Sequence, residues 1–239
     1  MIYNQPISPL RQGFQLTTLL VVHLFIAFTS LTFPTADAGI SVYGKGASLP
    51  QTVYQSVISL YSLEHDDVDV SYDAVGSSKG KASIVADTDG SVLFAGSDSL
   101  VSDEQYQAVP DLQMLPALAT AVVPIYNLPG LESSTIVFSQ ATLAGIFKGD
   151  ITQWDAPEIA ADNPSVSLPN EAIVVVVRLD GSGTTGVFTE ALSLFDPTFG
   201  QAGDTIDWHA GVVKASKNDG VVAQVLYTPY SISCKRLLV

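Results

Sequence analysis

The feature that most constrains the fold is an unbroken β-branched run that leads into a glycine-rich turn. Residues 173–177 read Ile-Val-Val-Val-Val. Such a run is typical of a strand that is buried on both faces of a sheet, and it favours a parallel sheet covered by helices. After the turn, Val187, Phe188, Leu192 and Phe195 recur at helical spacing. The stretch therefore predicts a strand–turn–helix unit of an α/β fold.

The turn between this strand and this helix has the chemistry of an anion site. Residues 180–185 read Asp-Gly-Ser-Gly-Thr-Thr. Such a turn directs backbone N–H groups, together with the positive end of the helix dipole, at one point. Ser182 and Thr184 add hydroxyls, and Arg178 adds a forked cation that suits a tetrahedral oxyanion. A structural alternative stays open, in which Ser182 caps the helix and Arg178 forms an ion pair.

Other strand ends carry similar loops. Gly-Ala-Ser-Leu at 46–49 follows a predicted strand, and Val53, Val57 and Leu60 after it predict a helix. Gly-Ser-Ser at 76–78 follows an alternating strand, and a further predicted strand stops just before Asp98. Ligands of α/β folds bind at the carboxyl ends of strands, so these loops predict a shared site.

The composition limits the kind of partner. The 239 residues carry 10 Lys and Arg against 24 Asp and Glu, a net charge of −14. So acidic a chain is a poor candidate for binding nucleic acid or an anionic membrane surface. The content of 47% hydrophobic and 14% charged residues favours a packed globule over disorder.

Residues 1–38 have the pattern of a signal peptide. Arg11 is the only charge before an apolar run at 14–33, and Ala-Asp-Ala at 36–38 is a small-x-small cleavage site. We expect cleavage after Ala38 and a secreted, periplasmic or extracellular protein. The alternative is that this segment stays uncleaved as a membrane anchor, which would then be the protein's one contact with a membrane. Cys234 is the only cysteine, so the chain has no intrachain disulfide.

In combination, seven motifs resemble the phosphate-binding proteins of high-affinity phosphate ABC transporters. That family consists of two-lobed periplasmic-type binding proteins, and the resemblance runs from about Gly44 to Tyr230. The motifs are GKGASLP, VGSSKG, AGSDSL, VVPIYNLPG, IFKGDITQWDAPEI, RLDGSGTTGVFT and KNDGVVA.

The resemblance implies a fold, a function and a ligand set. The fold would be α/β of the type II periplasmic-binding-protein kind, with an incomplete lobe I at 39–127 and lobe II at 128–239. The chain would bind inorganic phosphate between the lobes for uptake or scavenging, as a solute-binding protein and not an enzyme, without cofactor or metal. An ABC-transporter permease would be its protein partner. The implied ligand residues are Ser48, Leu49 (through its backbone N–H), Ser77, Asp98, Arg178, Ser182, Gly183 and Thr184.

Asp98 would set the selectivity of such a site. Dianionic phosphate carries one proton, which the Asp98 carboxylate would accept. Sulfate lacks that proton and would leave a buried charge unpaired, at a cost of several kcal/mol. A site built to bond a substrate OH can reject an analogue without it by roughly 10⁴ or more.

The resemblance also has departures. Leu49 stands where the family usually has an aromatic, and Lys79 stands where a small residue is common. Chains of the family continue well past Tyr230, whereas this sequence stops at Val239, and its ending after Ser233 is unlike the family. We therefore expect the C-terminal return to the first lobe to be missing. A truncated, inactive fragment is one alternative to a working binding protein.

Enzymes and metal-binding proteins are two further classes, and the sequence supports them less. Gly-Ser-Ser-Lys-Gly at 76–80 fits the G-x-S-x-G pattern, so a serine hydrolase would use Ser78 as nucleophile and His209 as base. No oxyanion loop of the HGGG kind precedes it. The turn at 180–186 lacks the lysine of a P-loop. His23, His65 and His209 are scattered, which gives a metal site no support.

Overall fold

A computed structural model describes residues 39–131 and 135–237. The described residues from Ser41 onward belong to one compact unit. The predicted signal peptide, its cleavage site and the alternative anchor lie outside the described residues. Among those described, none of the helices combines the length and apolarity needed to cross a bilayer.

The first part of the chain builds a three-stranded sheet in the order β2-β1-β3. Strands β1 and β3 are parallel, and Gly46 lies opposite Gly96. The strands are β1 (Ile40–Gly46), β2 (Val68–Ala74) and β3 (Phe94–Gly96). The helices of this part are α1 (Gln51–Tyr61), α2 (Ser77–Ala86) and α3 (Asp103–Ala108).

The second part builds a four-stranded sheet in the order β4-β7-β5-β6. Its strands are β4 (Ala121–Asn127), β5 (Val174–Arg178), β6 (Val213–Ala215) and β7 (Ser231–Leu237). Its helices are α4 (Gln140–Lys148), α5 (Pro157–Asp162), α6 (Gly183–Phe195) and α7 (Lys217–Tyr227). The strand–turn–helix unit predicted around residue 180 is β5 followed by α6.

Strand β7 lies inside this sheet. It pairs antiparallel with β4 along the whole strand, from Ala121 opposite Leu237 to Asn127 opposite Ser231. On its other side it pairs parallel with β5. Residues 231–237 therefore join β4 to the rest of the sheet.

The main core packs around the second sheet. Val175 and Val177 of the β-branched run are buried in this core, while Val176 is fully buried in a second cluster with Val221 and Val225 of α7, as predicted for a strand covered on both faces. Trp154 is also fully buried, and its indole N–H donates to the carbonyl of Tyr230 at 2.8 Å. This hydrogen bond satisfies the one polar atom of a large apolar side chain.

The predicted division into lobes at residue 127 stays a prediction. Strand β4, which that division assigns to lobe I, hydrogen-bonds within the second sheet. The long connection between β3 and β4 carries the chain from one sheet to the other.

Candidate functional site

The carboxyl ends of the parallel strands of the first sheet lie side by side. Gly46 ends β1 and Gly96 ends β3, so Ser48 and Asp98 follow at the same edge. The chain leaving β2 reaches this edge as well, because the backbone N–H of Gly76 donates to the carbonyl of Gly46 at 2.8 Å. Helix α2 begins at the next residue, Ser77.

Asp98 lies between the first turns of two helices. The Ser77 hydroxyl, in the first turn of α2, is 3.4 Å from Asp98 Oδ2. The Thr184 hydroxyl, in the first turn of α6, is also 3.4 Å from that oxygen. Both hydroxyl residues are almost completely buried. Two helix N-termini, one from each part of the molecule, thus meet at one carboxylate.

Gly183 permits this close approach. A Cβ at position 183 would lie 2.5 Å from Cβ of Asp98 and 2.7 Å from the Ser77 hydroxyl. Those distances are too short for any side chain, so the first turn of α6 reaches Asp98 only with glycine there.

Arg178, at the end of β5, is held by several acceptors. Its Nη1 donates to the Ser182 hydroxyl at 2.8 Å and to the Asn218 side chain at 2.7 Å. Its Nε donates to Asp180 Oδ1 at 3.1 Å, and Nη2 pairs with the other oxygen of the same carboxylate. The Ser182 hydroxyl accepts from the Thr185 N–H and caps α6. The cap and the ion pair of the structural alternative are both present.

Leu49 and Ser48 complete the predicted set. Leu49 is buried and lines a cleft of about 920 Å³ together with Asp98 and Arg236. Ser48 is half-buried next to it. Direct contacts therefore join Ser77, Asp98, Gly183 and Thr184, and a second group joins Arg178 to Ser182. The assignment of these residues as ligands stays a prediction.

Sequence reasoning missed Arg236. Its Nη1 lies 2.8 Å from Asp98 Oδ1, and the side chains of the two residues are only 9% and 7% exposed. Its Nε is buried without a hydrogen-bond partner among the described residues. The only local signal was the alternating Ser-Ile-Ser-Cys that starts β7, which predicts a strand but not what the strand faces.

Burial and neighbouring charges shift the pKa values of Asp98 and Arg236 in opposite directions. Burial raises the pKa of Asp98 above its usual value, although Arg236, Ser77, Thr184 and Arg178 oppose the rise. Burial likewise lowers the pKa of Arg236, against the influence of Asp98. The shifts of both groups reflect a charge pair that is largely removed from water.

The hydrolase alternative gains no support from the contacts of its two residues. The Ser78 hydroxyl donates to Asp204 at 2.9 Å, while His209 Nδ1 lies 2.9 Å from the carbonyl oxygen of Ala210. Within the described parts of the chain, no three His, Cys, Asp or Glu side chains group as metal ligands.

Comparison with known proteins places the chain in a family. Residues 33–235 match the model of the PBP superfamily domain. The chain is 36% identical over 211 residues to the phosphate-binding protein PstS of Haemophilus influenzae, covering 87% of this chain and 61% of that protein. It is 34% identical over 205 residues to PstS of Methanocaldococcus jannaschii, covering 80% of this chain and 52% of the relative. The chain thus spans between about half and three fifths of these relatives.

Solved structures share the fold. A phosphate-binding protein from Stenotrophomonas maltophilia superposes with a TM-score of 0.67 at 22% identity, over 82% of this chain and 60% of that one. A high-affinity periplasmic phosphate-binding protein (PfluDING), solved with phosphate bound, has a TM-score of 0.63 at 27% identity. The superposition covers 82% of this chain and 56% of that one. The predicted two-lobed α/β fold is confirmed. On its domain model and its fold, the chain belongs to the PBP superfamily.

Proposed function

We propose that this chain binds inorganic phosphate, as HPO₄²⁻, where α2 and α6 face Asp98. The observation that carries the proposal is the meeting of two helix N-termini, with the Ser77 and Thr184 hydroxyls, at one buried carboxylate. Helix N-termini and hydroxyls favour an anion, and a carboxylate beside them suits an anion that still carries a proton. The names of the relatives, phosphate-binding proteins, support the same ligand.

Each predicted ligand has a role in this proposal. The hydroxyls of Ser48, Ser77, Ser182 and Thr184 and the backbone N–H groups of Leu49 and Gly183 donate to phosphate oxygens. Arg178 supplies the charge-assisted donor, and Asp98 accepts the proton of the ligand. Because the chain as a whole carries a charge of −14, this attraction has to be local.

The proposal also covers the wider role of the chain. It captures phosphate outside the cytoplasm without converting it, and it passes the anion to an ABC-transporter permease. We also propose that the chain is exported by a signal peptide, which is cleaved after Ala38. The periplasmic phosphate-binding protein that shares the fold supports this location.

Titration calorimetry of the purified chain with inorganic phosphate tests the proposal. We expect saturable heat with one equivalent of phosphate, and unchanged phosphate recovered by chromatography afterwards. A chain that is folded by circular dichroism but gives no heat would contradict it.

The same titration on two variants tests the role of Arg178. Arg178→Ala should weaken phosphate binding more than Ser182→Ala, because a hydrogen bond to a charged group contributes about 1.5–3 kcal/mol and a neutral one about 1 kcal/mol. Equal losses would make Arg178 a structural residue. Asp66→Asn, an exposed change outside the site, is the control and should bind as the parent does.

A further inference from the structure

The Asp98 carboxylate is already engaged by protein groups. Oδ1 pairs with Arg236 at 2.8 Å, and Oδ2 lies 3.4 Å from the hydroxyls of Ser77 and Thr184. The carboxylate that would select a protonated anion is therefore neutralised by a guanidinium from β7. None of the motifs behind the resemblance includes Arg236.

Arg236 also changes the charge that an entering anion meets. Arg178 and Asp180 form one ion pair, which leaves Asp98 as an unbalanced negative charge beside the helix N-termini. Arg236 balances it, so the four side chains sum to zero. A dianion without a proton then faces a neutral ion pair and not a bare, buried carboxylate. The repulsion between two buried negative charges, which is the main penalty against binding such a dianion, is removed.

The Nε of Arg236 is an unsatisfied donor in a residue that lines the cleft. This N–H is buried and has no hydrogen-bond acceptor among the described residues. A donor that is removed from water and finds no protein acceptor costs free energy. An oxyanion oxygen in the cleft would supply the missing acceptor. Arg236 and Asp98 both line that cleft.

We propose that Arg236 widens the specificity of this site from monohydrogen phosphate to tetrahedral dianions that carry no proton, such as sulfate and selenate. The inference rests on the proposed function, because it concerns the same oxyanion site. Arg236 acts by pairing with Asp98 and by offering its Nε to the anion. For an anion that carries no proton, the positive charge of Arg236 thus takes the place of the ligand's proton as the partner of the carboxylate, which can still accept the proton of HPO₄²⁻.

The test compares protonated and unprotonated tetrahedral dianions on matched variants. Titrations at pH 7.5 use phosphate and arsenate, which carry a proton, against sulfate and selenate, which do not. In the parent chain, we expect sulfate and selenate to bind within about tenfold of phosphate. Arg236→Gln restores a bare carboxylate and should raise the phosphate-to-sulfate ratio by at least about a hundredfold, since sites that bond a ligand OH reject analogues lacking it strongly.

Two further variants separate charge from shape. The double variant Asp98→Asn/Arg236→Gln removes both charges and should return the ratio to that of the parent. If Arg236→Gln alone fails to fold, the double variant can still be measured, because it leaves no buried carboxylate without a partner. Lys214→Gln removes an exposed lysine of β6 and should leave the ratio unchanged.

The outcomes distinguish this inference from the proposed function. A parent chain that excludes sulfate by more than about a thousandfold, or an Arg236→Gln variant with the parent's ratio, overturns the inference while phosphate binding stands. Sulfate bound without phosphate overturns the proposed ligand and supports the role of Arg236. If Arg236→Gln binds phosphate while the parent binds no oxyanion, Arg236 blocks the site. That outcome also overturns the inference. No oxyanion bound by any folded variant overturns both.

Discussion

Three donors hold the carboxylate of Asp180 in the turn after β5. They are Nε and Nη2 of Arg178 and, at 2.8 Å, the backbone N–H of Lys217 at the start of α7. Burial alone would raise the pKa of Asp180, but these bonds and the charge of Arg178 lower it below its usual value. The ionised carboxylate therefore ties the end of β5 to the start of α7.

This shift predicts a dependence of stability on pH. Because the pKa of Asp180 is lower in the folded chain than in the unfolded one, ionised Asp180 stabilises the fold above its unfolded pKa. The contribution is lost as the pH falls through the lower, folded-state pKa. Asp180→Asn should therefore have a lower urea midpoint than the parent at pH 7, and the two midpoints should converge as the solution is acidified below pH 3.8, the unperturbed value.

The matched control for this prediction is Asp66→Asn, which removes an exposed carboxylate. Its urea midpoint should follow that of the parent at every pH. Should Asp180→Asn keep a constant difference from the parent down to pH 3, the stabilisation would not come from the ionised carboxylate.

At the scale of elements, α6 shows how one helix serves both the core and the candidate site. Its first turn holds Gly183 and Thr184 against Asp98, while Leu192 farther along is fully buried in the main core. Leu194, two residues on, is 79% exposed on the opposite face. The packing of the later turns fixes where the first turn lies.

Leu192→Ala and Leu194→Ala separate these two faces. Leu192→Ala should cost about 2–5 kcal/mol of unfolding free energy, because it leaves a cavity in a closed core. Leu194→Ala should change it by no more than about 0.5 kcal/mol. Urea unfolding followed by tryptophan fluorescence measures both, and comparable losses in the two variants would contradict the burial pattern.

Sequence patterns predicted elements well where the signal was local. The β-branched run gave a buried β5, and Ser182 caps α6 as the structural alternative expected. The spacing of Val53, Val57 and Leu60 correctly predicted α1, yet each of these side chains is at least 40% exposed. Periodicity shows that a face is apolar, but it does not identify what covers that face.

The contact between Asp98 and Arg236 could not be predicted, for a related reason. The two residues are distant in sequence, and they meet only because β7 enters the second sheet in one register, with Arg236 opposite Val122. A shift of one residue would turn Arg236 to the other face of the sheet. The partner of Asp98 is therefore a property of strand register, which no local motif encodes.

At the scale of the whole molecule, buried charges connect the two parts of the chain. Lys81 of α2 lies 3.1 Å from Asp204, in the segment between α6 and β6. Their side chains are only 12% and 14% exposed. The Ser78 hydroxyl donates to the same carboxylate. Removing one charge would leave the other buried and unpaired.

A double-mutant cycle on Lys81→Met and Asp204→Asn measures this connection. We expect a coupling free energy of about 0.5–3 kcal/mol from thermal or urea unfolding, since the pair is in contact and mostly out of water. The comparison pair, Lys148 and Asp150, is more exposed, and its coupling should be no more than about 1 kcal/mol. Coupling at Lys81 no larger than at Lys148 would mean that the buried pair does not hold the two parts together.

The place of β7 in the second sheet also governs the order in which that sheet can form during synthesis. Among the described strands, β4 and β5 are both made before β7, yet each hydrogen-bonds to β7 and not to the other. Until residues 231–237 leave the ribosome, β4 has no neighbouring strand and keeps an open edge exposed to other chains. Pairing across so long a stretch of sequence is slow. We therefore expect the nascent chain to be most prone to aggregation in the interval between the synthesis of β4 and that of β7.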